Sequence, residues 1–271
     1  MSLSRRKFIK RGAGLATGLV LVDAFWAEQF FIETNEFYIG TAKPDLNNIK
    51  IVQISDLHIQ SVGYVLEQLA IKVNQSTPDL IVFTGDSIDR AEKLSVLDNF
   101  LALLDVSIPK AAIVGNWEYW SNVNFVELSR LYKKYNCTLL INQSQQFTLK
   151  GKTFCITGVD DLVGGKPDIQ VAMLTYAKTD HHIILNHCPE YTDQILQQLD
   201  PSIHPDLILS GHTHGGQVNI LGFCPYLPKG SGVYTKGWYK TAIPMYVSKG
   251  IGTSIMPIRF GSRSEIAFFH F

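Results

Sequence analysis

The chain has 271 residues, of which 46% are hydrophobic and 18% charged, and its 24 basic and 24 acidic residues give a formal net charge of zero. A chain of this length builds one large core, so we expect one globular domain. The balanced charge argues against a nucleic-acid polymer as a partner. The four cysteines, Cys137, Cys155, Cys188 and Cys224, form no C-x-x-C pair, which argues against a zinc ribbon or a disulfide framework and favours packed thiols.

The N-terminal segment carries a tandem arginine pair before an apolar run. The stretch SRRKFIK, Ser4 to Lys10, precedes apolar residues 13–22. This run is too short to span a bilayer comfortably and has the shape of an export signal. It resembles a twin-arginine signal, and the alternative is a basic patch before a helix. Residues 1–33 are therefore predicted to be a twin-arginine-type signal or an N-terminal anchor.

The fate of this segment stays open, because residues 24–27 contain no A-x-A cleavage motif. The resemblance implies the twin-arginine translocation machinery as a partner. It also implies an exported protein, either periplasmic or on the outer face of the cytoplasmic membrane. That machinery moves folded proteins, which suits an enzyme already loaded with metal.

The rest of the chain predicts a linker, residues 34–48, and an α/β domain, residues 49–271. Apolar runs alternate there with amphipathic segments. The predicted strands are residues 49–55, 79–84, 111–114, 153–158, 182–186, 206–210 and 245–248. The predicted helices are residues 65–75, 94–104, 123–135 and 192–199. From residue 217 onward, glycine, proline and aromatic residues predict further sheet and long loops.

Polar residues directly follow five of the predicted strands. They are Asp56 and His58, then Asp86, Asn116, His187, and finally His212 with His214. A lone histidine usually only packs, and Gly-Asn is also ordinary turn chemistry. Ligands collect at the carboxyl ends of strands in α/β sheets, so five such positions are expected to converge in one crevice.

Two carboxylates, one carboxamide and four imidazoles are too many for one tetrahedral metal. They suit two divalent cations about 3.5 to 4 Å apart that share a carboxylate. Mixed oxygen and nitrogen donors favour manganese, iron or zinc. A bound cation lowers the pKa of water to about 7, so a bridging hydroxide is expected to attack phosphorus.

The ordered motifs D-L-H, G-D-S-I-D, G-N-x-E and G-H-T-H-G-G-Q resemble the calcineurin-like metallophosphoesterases, over residues 49–271. The resemblance implies an α/β fold, a four-layer α-β-β-α sandwich of two mixed sheets. It implies that Asp56, His58 and His214 hold the first metal, that Asn116, His187 and His212 hold the second, and that Asp86 bridges them. It also places Asp86 and Asn116 among the catalytic residues.

Trp117 departs from the family pattern, which has a histidine at this place. That histidine is understood to help protonate the leaving oxygen, and indole cannot, because its N–H is only a donor. General acid help is worth roughly 10²–10⁴-fold. We therefore expect a weakened or more selective enzyme that prefers good leaving groups.

Two stretches near the C-terminus, GHTHGGQVNILG (residues 211–222) and MYVSKGIGTSIMPIRFGSRSEI (residues 245–266), resemble the exported phosphodiesterase subgroup of this family. Relatives of that subgroup hydrolyse UDP-2,3-diacylglucosamine in lipid A synthesis. A lipid-linked or UDP-sugar phosphate is the substrate that this resemblance implies, by analogy. Loop 222–240 interleaves aromatic residues with lysines. Such a loop suits an acyl chain and a phosphate at a membrane surface, or it packs its own aromatic residues.

Two hypotheses follow. The first is a two-metal phosphodiesterase or pyrophosphatase, with a phosphomonoesterase still open within this class. The second, which only Trp117 favours, is a metal-binding protein with impaired turnover that senses or binds a phosphorylated lipid.

Overall fold

A computed structural model describes residues 5–23, 28–45 and 47–271. Ser4 and residues 24–27, on which parts of the export prediction rest, lie outside this range. The helices are α1 (Arg5–Val22), α2 (Glu28–Phe30), α3 (Tyr64–Ser76), α4 (Leu94–Leu101), α5 (Asn116–Trp120), α6 (Phe125–Lys134), α7 (Ile169–Met173) and α8 (Thr192–Gln198). Within the described parts of the chain, no helix combines the length and apolarity needed to cross a membrane.

Twelve strands are described and they form two six-stranded sheets. The strands are β1 (Glu33–Tyr38), β2 (Lys50–Ile54), β3 (Leu80–Thr84), β4 (Lys110–Ile113), β5 (Cys137–Leu139), β6 (Gln143–Leu149), β7 (Lys152–Gly158), β8 (His181–Leu185), β9 (Leu207–Ser210), β10 (Gly237–Tyr239), β11 (Met245–Val247) and β12 (Glu265–His270). The first sheet has the order β1-β12-β2-β3-β4-β5, and the second β10-β11-β9-β8-β7-β6.

Both sheets are mixed. In the first sheet only β12 and β2 pair antiparallel, and β2 to β5 are parallel. In the second sheet β11, β9, β8 and β7 are parallel. The edge strand β10 pairs antiparallel with β11, and the edge strand β6 pairs antiparallel with β7. The site-bearing strands β2, β3 and β4 therefore end at one edge of their sheet, and β8 and β9 end together in theirs.

The apolar side chains sort into three layers of core, which confirms the predicted four-layer α-β-β-α sandwich. Alternate residues of β2 show why: Ile51 lies in the core between the two sheets, whereas Val52 and Ile54 face the helices α3, α4 and α6. On the other outer face, Ile184 of β8 packs with Ile195 of α8. Strands buried on both faces explain the nearly continuous apolar runs in the sequence.

All seven predicted strands and all four predicted helices are present, with small shifts at their ends. The structure adds β1, β5, β6 and β10 as well as the short helices α2, α5 and α7, and the further sheet expected near the C-terminus includes β12. Strands β1 (ETNEFY) and β6 (QSQQFTL) are polar edge strands, so hydrophobic periodicity gives little signal for them.

The predicted linker 34–48 needs a correction at its start. Residues up to Tyr38 belong to β1, which pairs in parallel with β12 from Glu33↔Glu265 to Tyr38↔His270. Phe37 packs against the core between the sheets. This part of the chain is therefore an edge strand of the domain. Local sequence patterns do not reveal it, because its partner strand lies more than 200 positions away.

Candidate metal centre

The seven predicted ligands follow the carboxyl ends of five strands, β2, β3, β4, β8 and β9. Five of them have a positive backbone φ: Asp56 (51°), His58 (43°), Asp86 (51°), His212 (73°) and His214 (50°). This left-handed conformation is uncommon outside glycine, although aspartate and histidine adopt it more readily than most residues. Backbone strain of this kind concentrates at functional sites, where sharp turns aim side chains inward.

Asp56, His58 and His214 form the first cluster. One potential ligand atom of each lies within 4.8 Å of the others. The Nε2 atoms of His58 and His214 are 3.1 Å apart, and Asp56 Oδ1 lies 3.7 Å from His214 Nε2. All three residues are buried. The predicted ligand set of the first metal is thus brought together.

Asp86 joins this cluster to a second one. Its Oδ2 atom lies 3.7 Å from His58 Nε2 and 3.2 Å from His187 Nε2. His187 Nε2 is in turn 3.3 Å from His212 Nδ1. A carboxylate that faces histidines from both clusters has the position that a bridging ligand requires.

Asn116 is the first residue of α5 and directly follows Gly115. The site leaves no room beside that glycine: a Cβ added to Gly115 would lie 2.3 Å from Asp86 Oδ1 and 2.7 Å from His187 Nε2. The Oδ1 atom of Asn116 is buried and accepts no hydrogen bond from the described residues. A buried amide oxygen without a donor is costly, and a cation would satisfy it.

Two histidines have a ring nitrogen engaged by a backbone carbonyl. His187 Nδ1 donates to the carbonyl of Thr84 at 2.7 Å, and His212 Nε2 donates to the carbonyl of Lys229 at 2.8 Å. Because a carbonyl only accepts, the proton of each neutral ring lies on that nitrogen. The opposite nitrogens, His187 Nε2 and His212 Nδ1, keep free lone pairs that face the cluster, as metal-ligating histidines require.

The two carboxylates are held by backbone N–H groups from distant parts of the chain. His212 N–H donates to both oxygens of Asp56, at 2.9 and 3.1 Å, and Trp117 N–H donates to Asp86 Oδ1 at 2.9 Å. Burial raises the pKa of Asp56. Burial opposes ionisation of Asp86 as well, but when no cation is bound the facing His187 is protonated, and together with His58 it holds the pKa of Asp86 well below its usual range.

Glu118 is a buried carboxylate that stabilises the backbone turns next to the donor clusters. Its carboxylate accepts the N–H groups of Gly115 (2.8 Å), Asp86 (3.1 Å), Ser87 (2.7 Å) and Ile88 (3.2 Å). It therefore fixes the turns that carry Asp86 and Asn116. Burial, together with the charge of Asp86, raises the pKa of Glu118 to about 8. The sequence prediction assigned it no role, although it is the glutamate of the quoted G-N-x-E motif.

Cys188 is more than a packed thiol. All four cysteines are free, as expected, but Cys188 Sγ lies within 4.8 Å of ring nitrogens of His187 and His212. The thiol donates to Asp161 Oδ1 at 3.1 Å. Burial, reinforced by the charge of Asp161, raises the pKa of Cys188, which favours the thiol form when no cation is bound.

Trp117, the residue at the family's acid position, lies beside the first cluster. Its ring is edge-on to His58, with ring centroids 5.8 Å apart, and it contacts Trp120 at 5.3 Å. Trp117 is half-buried, whereas Trp120 is 56% exposed. An aromatic pair therefore reaches from the first cluster toward solvent.

Loop 222–240 combines both of the arrangements that its sequence left open. Tyr234 packs edge-on against Tyr239 at 4.9 Å, and Trp238 packs on Phe37 at 5.2 Å. Phe223 and Tyr226, in contrast, are more than 60% exposed. The second half of the loop packs its own aromatic residues, and the first half presents two of them to solvent.

Sequence comparisons with known proteins identify the family of the chain. The sequence profile described as "Calcineurin-like phosphoesterase" matches residues 49–216. The metallophosphoesterase YkuE of Bacillus subtilis is 34% identical over 98% of this chain and 97% of that protein. The metallophosphoesterase YkoQ of the same organism is 29% identical, covering 83% of this chain and 84% of that protein.

A metallophosphoesterase of Helicobacter pylori strain 26695 is 31% identical over 98% of this chain and 72% of its own length. Among solved structures, TT1561 of Thermus thermophilus aligns at 15% identity with a TM-score of 0.47, covering 75% of this chain and 90% of that one. A dimetal phosphatase of Danio rerio aligns at 12% identity with a TM-score of 0.44, covering 75% and 88%. On the family match and the YkuE identity, the chain belongs to the calcineurin-like phosphoesterase family.

Proposed function

We propose that the protein is a two-metal hydrolase that cleaves a phosphodiester or pyrophosphate bond. The observation that carries this proposal is the pair of buried donor clusters joined through Asp86. Two bound divalent cations would supply Lewis acidity at phosphorus and would lower the pKa of water enough to make a nucleophile. Manganese, iron or zinc suits the mixture of oxygen and nitrogen donors.

The chain's own residues account for how such cations would be held. Asp56, His58 and His214 would bind one, Asn116, His187 and His212 the other, and Asp86 both. The carbonyls of Thr84 and Lys229 orient two of the imidazoles. Backbone N–H groups aim both carboxylates, so little reorganisation is needed when metal binds.

Trp117 supports a substrate with a good leaving group. The indole N–H does not titrate and cannot serve as the acid that a departing alkoxide needs. A nucleotide phosphate leaves as a stable anion without that proton. Cleavage of a pyrophosphate or an activated diester is therefore favoured over that of a simple alkyl ester.

The Trp117–Trp120 pair and the exposed aromatic residues of loop 222–240 support a lipid-linked or UDP-sugar substrate, similar to UDP-2,3-diacylglucosamine. Indole faces stack on sugars and bases, and the exposed Phe223 and Tyr226 suit an acyl chain or a membrane surface. The proposal includes export through the twin-arginine machinery to the periplasm or the outer face of the cytoplasmic membrane. Its support is the SRRKFIK motif.

A second candidate function is a metal-binding protein that binds a phosphorylated lipid and turns it over poorly. The observation in its favour is the indole beside His58, where the family has an acid. The complete set of predicted ligands favours the enzyme, since a site that has lost catalysis usually loses ligands as well.

A substrate comparison tests the proposal. The manganese-loaded protein is assayed with bis(p-nitrophenyl) phosphate, p-nitrophenyl phosphate and a UDP-sugar. We expect the diester or the UDP-sugar to be hydrolysed faster than the monoester. Activity should vanish in Asp86→Ala and persist in Asp98→Ala, which removes a half-buried carboxylate on α4 that pairs with Lys134. A protein that binds two metals but hydrolyses none of the three would contradict the proposed hydrolase and favour the second candidate.

A further inference from the structure

Glu28 is a buried carboxylate contributed by the N-terminal segment, ahead of the part of the chain that matches the family. It is 5% exposed. Its Oε1 accepts the N–H of Gly261 at 2.8 Å, its Oε2 accepts the N–H of Ser262 at 2.9 Å, and its backbone carbonyl accepts the N–H of Ser264 at 3.1 Å. Two adjacent N–H groups on one carboxylate fix the conformation of the Gly261–Ser262 turn.

This turn contacts a predicted metal ligand directly. The Ser262 hydroxyl donates to the carbonyl of His214 at 2.6 Å. The carbonyl of Ser262 accepts from Arg259 Nη1 at 2.9 Å, and Arg259 Nη2 lies 3.2 Å from His214 Nδ1. Ser262 therefore contacts Glu28 through its N–H and the backbone of His214 through its hydroxyl. It also contacts Arg259, which in turn contacts the ring of His214.

The buried positive charge of Arg259 is a second, electrostatic reason to expect that Glu28 stabilises this part of the first cluster. Its side chain is fully buried, and its hydrogen bonds to described residues go to carbonyls, at Lys249, Gly252 and Ser262, and to His214 rather than to a carboxylate. A buried cation without a direct partner is costly. Burial lowers the pKa of Arg259 to about 10, and nearby carboxylates, Glu28 among them, oppose that shift.

We propose that Glu28 is a positioning residue of the first metal site, acting through the Gly261–Ser262 turn on His214. This inference rests on the metal-binding part of the proposed function. It assigns a role to a segment that the sequence suggests is only a signal or an anchor. If the signal is cleaved, the cut must then lie before Glu28 for the mature protein to keep an intact first site.

The test compares metal binding by full-length wild-type protein, Glu28→Ala, Glu28→Gln and Ser262→Ala. Glu36→Ala is the matched control, because Glu36 is an exposed carboxylate on the neighbouring strand β1. The metal-free proteins are titrated with Mn²⁺ in a calorimeter. Losing an outer partner of a ligand typically weakens metal affinity about 10–100-fold. We expect a loss of this size at one of the two sites in Glu28→Ala, a smaller loss in Glu28→Gln, and wild-type values in Glu36→Ala.

A double variant tests the route. If Glu28 acts through the turn, the losses in Glu28→Gln and Ser262→Ala should not add when the two changes are combined. Additive losses, equal weakening of both sites, or wild-type affinities in Glu28→Gln would overturn the inference. If Glu28→Ala does not fold, Glu28→Gln and Ser262→Ala still decide the question. Failure of the wild-type protein to bind Mn²⁺ would instead refute the proposed function, so the two failures are distinguishable.

Discussion

The Nε2 atoms of His58 and His214 face each other at 3.1 Å, although the two residues are 156 positions apart in the chain. Both rings are buried, and Asp56 and Asp86 lie within 3.7 Å of one or other of these nitrogens. Arg259 Nη2, which can only donate, faces His214 Nδ1, so in the neutral ring the proton lies on His214 Nε2 and is donated to His58 Nε2. A cation bound by the first cluster would take the place of this proton between the two nitrogens.

We expect the purified protein to hold about two transition metals per chain, and Asp86→Ala to lose both. Removing the shared carboxylate leaves two cations without the charge that offsets their repulsion. Metal analysis by mass spectrometry after gel filtration measures the ratio, with Asp98→Ala as the control. An Asp86→Ala protein that still holds two metals would show that the ligand assignment is wrong.

Asn116→Leu should deplete one cation and leave the other. Leucine has the same number of side-chain heavy atoms with the same branching, and it lacks the amide, including the buried oxygen that has no donor. We expect about one metal per chain, from a site with two cations. His58→Ala should empty the other position, so each single variant should retain one metal and the double variant none. Full occupancy in Asn116→Leu would remove Asn116 from the ligand set.

Trp117→His should restore an acid beside the first cluster. Acid catalysis helps most when the departing oxygen is basic, so hydrolysis of an alkyl phosphodiester should rise by up to about 10²-fold, whereas p-nitrophenyl ester hydrolysis should change little. Both rates are measured in both proteins over a range of pH. If the two substrates respond alike, the indole is a stacking or packing residue rather than a replacement for an acid.

The variant with Arg5→Lys and Arg6→Lys should remain inside the cell, because a receptor reads the twin arginines and not only their charge. Cell fractionation with an antibody against the domain measures the distribution. Arg11→Lys, a conservative change outside the SRRKFIK motif, is the control. Normal export of the double-lysine variant would indicate a general secretory signal or a simple anchor.

His182 should make the fold sensitive to acid. Its ring is buried against Tyr176, bonds to Thr157 Oγ1 at 2.8 Å, and lies near Asp206. Burial lowers the pKa of His182 from 6.5 to about 4. As the pH falls, His182 binds a proton near pH 6.5 in the unfolded chain but only near pH 4 in the folded chain. The stabilising contribution of the neutral ring is therefore fully present above pH 6.5 and is lost as the pH falls toward 4.

Urea unfolding at pH 7 and pH 5 measures this effect. Between these values the wild-type protein should lose about 2 kcal/mol more of its unfolding free energy than His182→Gln does. The exposed His204, changed to glutamine, is the control and should behave as wild type does. Equal losses in the wild-type protein and His182→Gln would show that the pKa of His182 is the same in the folded and the unfolded chain, which would refute the prediction.

The sequence by itself determined the α/β class, the buried strands and the identity of the residues in the crevice, and the four-layer sandwich followed from the resemblance of its ordered motifs to a known family. Apolar runs such as DLIVFT predict buried strands, and the polar residue after each run, Asp86 in this case, must lie at the carboxyl end of its strand. These are local signals, because strand formation and the position of a strand end depend on neighbours within a few residues. The departure at Trp117 was visible for the same reason.

Only the tertiary structure decided how these residues are held. Strand β1 is polar and pairs with a strand near the C-terminus, so no local sequence pattern predicts it. Glu28 and Arg259 read as ordinary charged residues until the turn at Gly261 and Ser262 brings them to His214. Contacts over such separations depend on which sheet edges pair and on where a charge becomes buried, and both are properties of the complete fold.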